Sequence, residues 1–298
     1  MEKKIWKWEE YKDISNLSHF KTKSSSRYYY EINNIADISS IKEIMDFWKI
    51  HNLNIIFIWG WTNLLFAFDI YEWIIIKNNL VWFEYNEQTK ILQVYSGESV
   101  SKIASTLEYH FHQSLWHRFI WLPWTFGWAI CGNAGCFGLE TESNFVSVEV
   151  YNKETGTIET LDKDKVEFWY RTSIFKQTEK YFILKATFDL SYKKEKYSSD
   201  VDVLHFRNEI QPIWNSCGSF FKNPSSEFPA GKLIQEVWLK WFHYNWAFFS
   251  QKHANFLMME KVNWDYHDLL YLIELAKDKV QEKFWISLEP EVRIIHSM

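Results

Sequence analysis

The stretch Asn54-Ile55-Ile56-Phe57-Ile58-Trp59-Gly60-Trp61-Thr62-Asn63-Leu64-Leu65 opens as an apolar, β-branched run and stops abruptly in a turn. Residues 54–58 read as a buried strand, because a short run of this kind bounded by turn residues can bury both faces. A second loop is Pro123-Trp124-Thr125-Phe126-Gly127-Trp128-Ala129, followed by Gly132-Asn133-Ala134-Gly135. A diphosphate is cradled by backbone N–H groups that need close approach and often positive φ, which glycine supplies at least cost. As written, with tryptophan beside the glycines, neither loop is a phosphate loop.

The composition carries the same anomaly. The chain has 18 Trp and 9 Gly, where ordinary usage of about 7% would give roughly 21 glycines. Together the two types number 27, close to an ordinary glycine count. Tryptophan therefore stands where glycine belongs. With glycine at Trp59, Trp61, Trp124 and Trp128 the two loops read Gly-Gly-Gly-Thr-Asn-Leu-Leu and Pro-Gly-Thr-Phe-Gly-Gly-Ala. Trp73, Trp121, Trp169, Trp238, Trp241, Trp246 and Trp285 also fall at turns or element edges. The expectation is that most or all of these are UGA codons, which some bacterial lineages read as glycine and a common alternative table reads as tryptophan. Genuine tryptophans would instead pack as core or offer a sugar-stacking surface.

The remaining composition excludes several classes. Net charge is -5, so no global basic field attracts nucleic acid. No run approaches the 18 or so apolar residues of a membrane span, and Met1-Glu2-Lys3-Lys4-Ile5-Trp6-Lys7 lacks the apolar core of a signal peptide. Three cysteines fit a reducing compartment, and Cys131 and Cys136 lie at no zinc spacing, so no metal is expected.

Periodicity predicts a mixed α+β chain. Residues 1–26 read as irregular. Strands are expected at 28–32, 74–76, 91–94, 147–151 and 181–190, and helices at 39–50 and 99–110. A Lys-, Ser- and Tyr-rich linker at 191–200 leads to a second unit. That unit holds a Gly218-Ser219-Phe220-Phe221 strand, a helix at 230–237, strand-like segments at 246–258 and a helix at 266–284. Leu269, Leu270, Ile273, Ala276, Val280 and Phe284 make the apolar stripe of the last helix.

Four motifs follow one another: Phe168-Trp169-Tyr170-Arg171-Thr172-Ser173-Ile174-Phe175-Lys176, Gly218-Ser219-Phe220-Phe221-Lys222-Asn223-Pro224, Ser250-Gln251-Lys252-His253-Ala254-Asn255-Phe256 and Leu288-Glu289-Pro290-Glu291-Val292-Arg293. With these in order, and glycine restored in the loops, residues 15 to 295 resemble the UDP-N-acetylenolpyruvoylglucosamine reductases of peptidoglycan synthesis. The resemblance implies a two-subdomain FAD-binding module of the vanillyl-alcohol-oxidase (PCMH) type, at 1–80 and 81–195. A C-terminal α+β substrate domain would follow at 196–298. It implies FAD and NADPH as cofactors, UDP-N-acetylglucosamine enolpyruvate as substrate, and a cytoplasmic monomer without membrane insertion. FAD would be held by Trp59, Gly60, Trp61, Thr62, Asn63, Pro123, Trp124, Thr125, Gly127, Trp128, Asn133, Ala134 and Gly135.

In the family, reduced flavin delivers hydride to the enolpyruvyl methylene carbon, and negative charge develops on its neighbour. That chemistry needs a cation on the carboxylate, a proton donor and a group to polarise the developing enolate. The resemblance assigns these roles to Arg171, Ser219 and Glu291. Glu291 would have to be protonated, with its pKa raised by burial. Tyr170, Lys222 and Asn223 would touch the substrate, and His253 is either an orienting group or a polar core residue. The short span from Leu190 to Asn215 leaves no room for an inserted capping subdomain, as in the compact type II subgroup. Two other readings remain open. One is a different FAD oxidoreductase of the superfamily, acting on a small alcohol or hydroxy acid. The other is a non-enzymatic aromatic-rich module for glycans.

Overall fold

The structure, a computed structural model, describes residues 8–50, 54–59, 63–178, 180–191, 209, 211–212 and 215–297, without the side chains of 48 and 49. The expected linker at 191–200 lies outside the described residues except for Ser191. The chain forms two compact units, each drawn from separate stretches. The first comprises Met1–Glu10, Tyr28–Gly60 and Trp73–Leu204, and the second Tyr11–Arg27, Trp61–Glu72 and His205–Met298.

The first unit is built on a five-stranded antiparallel sheet. Its order is Thr157–Asp162, Phe145–Asn152, Tyr181–Asp189, Ile91–Tyr95, Phe83–Asn86. Tyr181–Asp189 lies centrally, and its alternation puts Phe182, Leu184, Ala186 and Phe188 into the core. The amphipathic helix Val100–Phe111 covers this core with Val100, Ile103, Ala104 and Leu107. Ser99 caps it by accepting from Lys102 N. Ile55–Ile58 pairs in parallel with Ile70–Asn78 through Ile55–Ile58 against Ile74–Lys77.

The expectation that 1–26 is irregular is corrected. Glu9–Asp13 is a strand beside Ser25–Ile32 at the edge of a four-stranded sheet. Its sequence, Glu9-Glu10-Tyr11-Lys12-Asp13, has no apolar alternation because an edge strand needs only a ladder partner and is kept polar.

The second unit has its own core, centred on Phe220, Phe221, Leu233, Ile234, Phe249, Leu257 and the helix His267–Phe284. Leu269, Ile273, Ala276 and Val280 of the predicted stripe are buried, joined by Leu272, while Leu270 and Phe284 pack at its margin. A three-stranded antiparallel sheet orders His243–Tyr244, Ala247–Phe249 and Leu257–Met259. Arg293–His296 runs parallel to Leu64–Ala67, so the last strand of the chain closes onto the segment just after Asn63. The expected Gly218–Phe221 strand is reduced to two isolated bridges, Ser219 with Phe256 and Phe221 with Pro290. Ser219 therefore sits where two different chain segments converge.

Candidate active site

In the second unit the structure brings two expected catalytic segments together. Glu291 N donates to Phe220 O at 2.7 Å, and Lys222 N donates to Glu289 O at 2.9 Å. Ser219 and Glu291 are both half-buried. Gly218 precedes Ser219 with φ 87, and an added Cβ would meet nothing within 4 Å, so the backbone conformation rather than space calls for glycine.

Two asparagines hold this junction. Asn255 is buried; its Oδ1 accepts from Phe221 N at 2.9 Å and its Nδ2 donates to Phe221 O at 2.8 Å. Its own carbonyl accepts from Phe220 N at 2.7 Å. Asn63, also buried, donates through Nδ2 to Glu291 O at 3.2 Å, and its carbonyl accepts from Arg293 N at 2.9 Å. The Asn63 side chain, expected on the flavin, ties the end of its loop to the Glu291 segment. Asn255 lies in the Ser250–Phe256 motif, whose sequence gives it no role. The two-way amide clamp it makes has no sequence signal, because its partner lies 34 residues away.

His253 is half-buried beside the Asn255 clamp. Its Nδ1 accepts from Asn255 N at 3.2 Å, and burial, followed by the nearby Lys240 charge, holds its pKa below the usual histidine value. Lys222 pairs with Glu289. Asn223 Oδ1 accepts from Ala230 N at 3.0 Å, satisfying a first-turn donor of the helix Ala230–Glu236.

Arg171 belongs to the first unit. It occupies a left-handed turn position (φ 56) between Trp169 and Thr172, whose backbones exchange two hydrogen bonds. Strain of this kind at a non-glycine residue is concentrated at functional sites. Its Nη2 donates to Gly135 O at 2.9 Å, and its guanidinium lies over the exposed Tyr170 ring at 5.0 Å. Asn133 Nδ2 donates to Trp169 O at 3.2 Å and its Oδ1 accepts from Glu142 N at 3.1 Å. The 132–135 loop therefore supports the Arg171 turn, and the Asn133 amide is spent within the protein.

The two loops expected to hold the flavin meet. Thr125 Oγ1 donates to Trp59 O, and Gly127 N donates to Ser96 O at 2.7 Å. Gly127 lies in the short helix Phe126–Cys131, whose residues are all buried, Trp128 included. Trp124 packs at the margin of the same core and Ala134 is inside it, while Pro123 is exposed. Gly60, Trp61 and Thr62 lie outside the described residues. The space over Gly127 is filled by the Trp59 indole, which would stand 2.6 Å from an added Cβ there. Trp59 is buried, and its Nε1 is the one buried side-chain polar atom among the described residues without a hydrogen-bond partner. A buried orphan donor costs about 1–3 kcal/mol. With the Trp59 indole over Gly127 and its Nε1 unpaired, the described residues of these loops do not fit a diphosphate.

Comparison with known proteins bears on the whole chain. The chain is 33% identical over 283 residues to the UDP-N-acetylenolpyruvoylglucosamine reductase of Chlamydia felis, spanning 95% of this chain and 92% of that protein. The chain belongs to the UDP-N-acetylenolpyruvoylglucosamine reductase family. The model of that family's C-terminal domain matches residues 210–295, which contain Ser219 and Glu291. The Fervidobacterium nodosum reductase is 41% identical over 176 residues, 58% of this chain and 56% of that protein. Among solved structures, the reductase of Thermus caldophilus superposes with a TM-score of 0.76 at 20% identity, covering 97% of this chain and 99% of that one. The fold is thus that of the reductase family, the expected mixture of α and β elements. Among the described residues no helix is long and apolar enough to cross a membrane, and no three His, Cys, Asp or Glu gather into a metal site.

Proposed function

We propose that this chain reduces UDP-N-acetylglucosamine enolpyruvate to UDP-N-acetylmuramate in peptidoglycan precursor synthesis, with FAD and NADPH as cofactors. Family membership over 95% of the chain supports the reaction. The observation that carries the site is the Glu291 N–Phe220 O hydrogen bond, which sets the Ser219 and Glu291 segments side by side. With glycine at 59, 61, 124 and 128 the loops would hold FAD, which would supply the hydride.

The chain's own residues handle charge and protons. Arg171 holds the enolpyruvyl carboxylate, for which a planar guanidinium offers two parallel donors. Ser219 gives its hydroxyl proton to the carbon that becomes carbanionic. A serine is a weak acid, but an enolate-type carbanion is a strong enough base to take that proton. Glu291, in its protonated form, donates a hydrogen bond to the enolate oxygen as charge builds there. Lys222 and Tyr170 contact the substrate. Flavin binding falls mainly to 1–195 and substrate binding to 196–298 together with Tyr170 and Arg171, and the protein acts as a monomer in the cytoplasm.

The test is NADPH oxidation by the chain carrying glycine at 59, 61, 124 and 128. Oxidation that starts only when the enolpyruvyl sugar nucleotide is added supports the reaction. A yellow protein indifferent to that compound would point to another flavin oxidoreductase, and a colourless folded protein to a binding module.

A further inference from the structure

The described tryptophans divide into two kinds by backbone conformation. Trp121, Trp238, Trp241 and Trp285 have φ of 67, 63, 64 and 60. Of the fourteen non-glycine residues with positive φ among those described, tryptophan supplies four, more than any other type. A bulky side chain in this region is a steric outlier, whereas glycine adopts it freely.

Each of the four is a position that glycine fills by geometry. Trp238 follows the helix Ala230–Glu236. Trp238 N donates to Gln235 O at 3.0 Å and Leu239 N to Ile234 O at 3.2 Å, the bond pair of a Schellman motif with Trp238 at its left-handed residue. Trp285 follows the helix His267–Phe284, and its N–H donates to Gln281 O at 3.0 Å, the αL form of helix ending. Trp121 is the third residue of a turn closed by Leu122 N to Phe119 O at 3.2 Å. Ile120 before it has φ -62 and ψ 137, so the turn is type II, which requires positive φ at that third residue. Trp241 holds the same place in the turn closed by Phe242 N to Leu239 O at 3.0 Å.

Burial does not offset the strain. Trp238 and Trp285 are 88% and 84% exposed, and Trp121 and Trp241 are more than half exposed. Trp241 does meet His243 and Phe248 edge-on. Trp116 is the opposite case. It is fully buried among Phe119, Phe126 and Phe188, and its Nε1 donates to Asn144 Oδ1 at 3.3 Å.

We propose that the protein made in the cell carries glycine, from UGA codons, at positions 59, 121, 238, 241 and 285, and a true tryptophan, from UGG, at 116. At 59 glycine removes the indole that fills the space over Gly127, along with the orphaned Nε1, and frees backbone N–H groups to approach a diphosphate. That position rests on the proposed flavin enzyme; the four turns stand without it.

Two experiments test the assignment. Peptide masses of the protein isolated from its own cells should show glycine at 121, 238, 241 and 285 and tryptophan at 116. Tryptophan at the four turns, or UGG codons there, would overturn the proposal. In recombinant protein, glycine at the four turns together should raise the melting temperature, and alanine at the same four should raise it less, because alanine retains the left-handed penalty. Equal effects of glycine and alanine would overturn the turn argument. Adding Trp59→Gly, with Trp61, Trp124 and Trp128 also made glycine, should turn a chain that leaves FAD fluorescence unquenched into one that retains the flavin through gel filtration. A stabilised chain that still binds no FAD would sink the position 59 assignment and the cofactor reading, while leaving the turns assigned.

Discussion

Asn255→Ala is the most informative single change in the second unit. The buried Asn255 amide makes two hydrogen bonds to one residue, accepting from Phe221 N at 2.9 Å and donating to Phe221 O at 2.8 Å. Alanine leaves both Phe221 groups buried without those partners. At about 1–3 kcal/mol for each of the two unsatisfied buried groups, the expected loss is about 2–6 kcal/mol. Domains of this kind have about 5–15 kcal/mol in total, so the variant should unfold at markedly lower denaturant. The same change loosens the segment that carries Ser219 two residues before Phe221. Misplacing a reacting group by ~1 Å costs on the order of 100-fold in rate. The assay is urea unfolding followed by circular dichroism, together with kcat measured in the glycine form of the chain. Asn255→Asp is the paired control. It keeps an acceptor for Phe221 N but turns a carboxylate oxygen toward Phe221 O, so its defect should ease as the carboxyl protonates at low pH. A stability loss below ~0.5 kcal/mol, the range of a surface substitution, with unchanged kcat would refute the clamp.

Three further outcomes are expected. Ser219→Ala in the glycine form should leave flavin reduction by NADPH intact and stall product formation; normal turnover would remove Ser219 from proton donation. Arg171→Lys loses the guanidinium fork and the 2.9 Å bond to Gly135 O. At about 1.5–3 kcal/mol for a charged hydrogen bond, KM for the enolpyruvyl substrate should rise ~10–100-fold with NADPH-driven flavin reduction unchanged. The third concerns pH. Burial holds His253 and His19 below the usual histidine pKa. In the folded state they bind fewer protons than in the unfolded chain, so stability is full above the ordinary histidine value and declines as pH falls below it. His253→Gln should flatten that slope in urea midpoints measured from pH 7 to pH 5, and an unchanged slope would dismiss the assignment.

The site was unevenly legible before the structure. Ser219 and Glu291 stand out because Gly218-Ser219-Phe220-Phe221-Lys222-Asn223-Pro224 and Leu288-Glu289-Pro290-Glu291 are contiguous motifs. The long helices were legible because burial on one face imposes a 3.6-residue period. Glu9–Asp13 was not, since a polar edge strand is specified by its neighbour's open ladder. The resemblance of the Trp59–Leu65 loop implies a flavin contact for Asn63, and the amide bond it makes to the Glu291 backbone across 228 residues had no signal in the sequence.

The sequence by itself determined the family and the suspicion that tryptophan had replaced glycine, and it nominated Arg171, Ser219 and Glu291 as charge and proton handlers, because each of those is written in contiguous residues or in composition. Only the tertiary structure decided which tryptophans lie at glycine positions. Backbone sign at Trp121, Trp238, Trp241 and Trp285 is set by the helix ends and turns they close, and the case for keeping Trp116 comes from the core it fills. The same holds for the clamps at Asn63 and Asn255. A hydrogen bond between distant segments has no period and no neighbour in the chain, so it becomes visible only when the backbone has been folded into place.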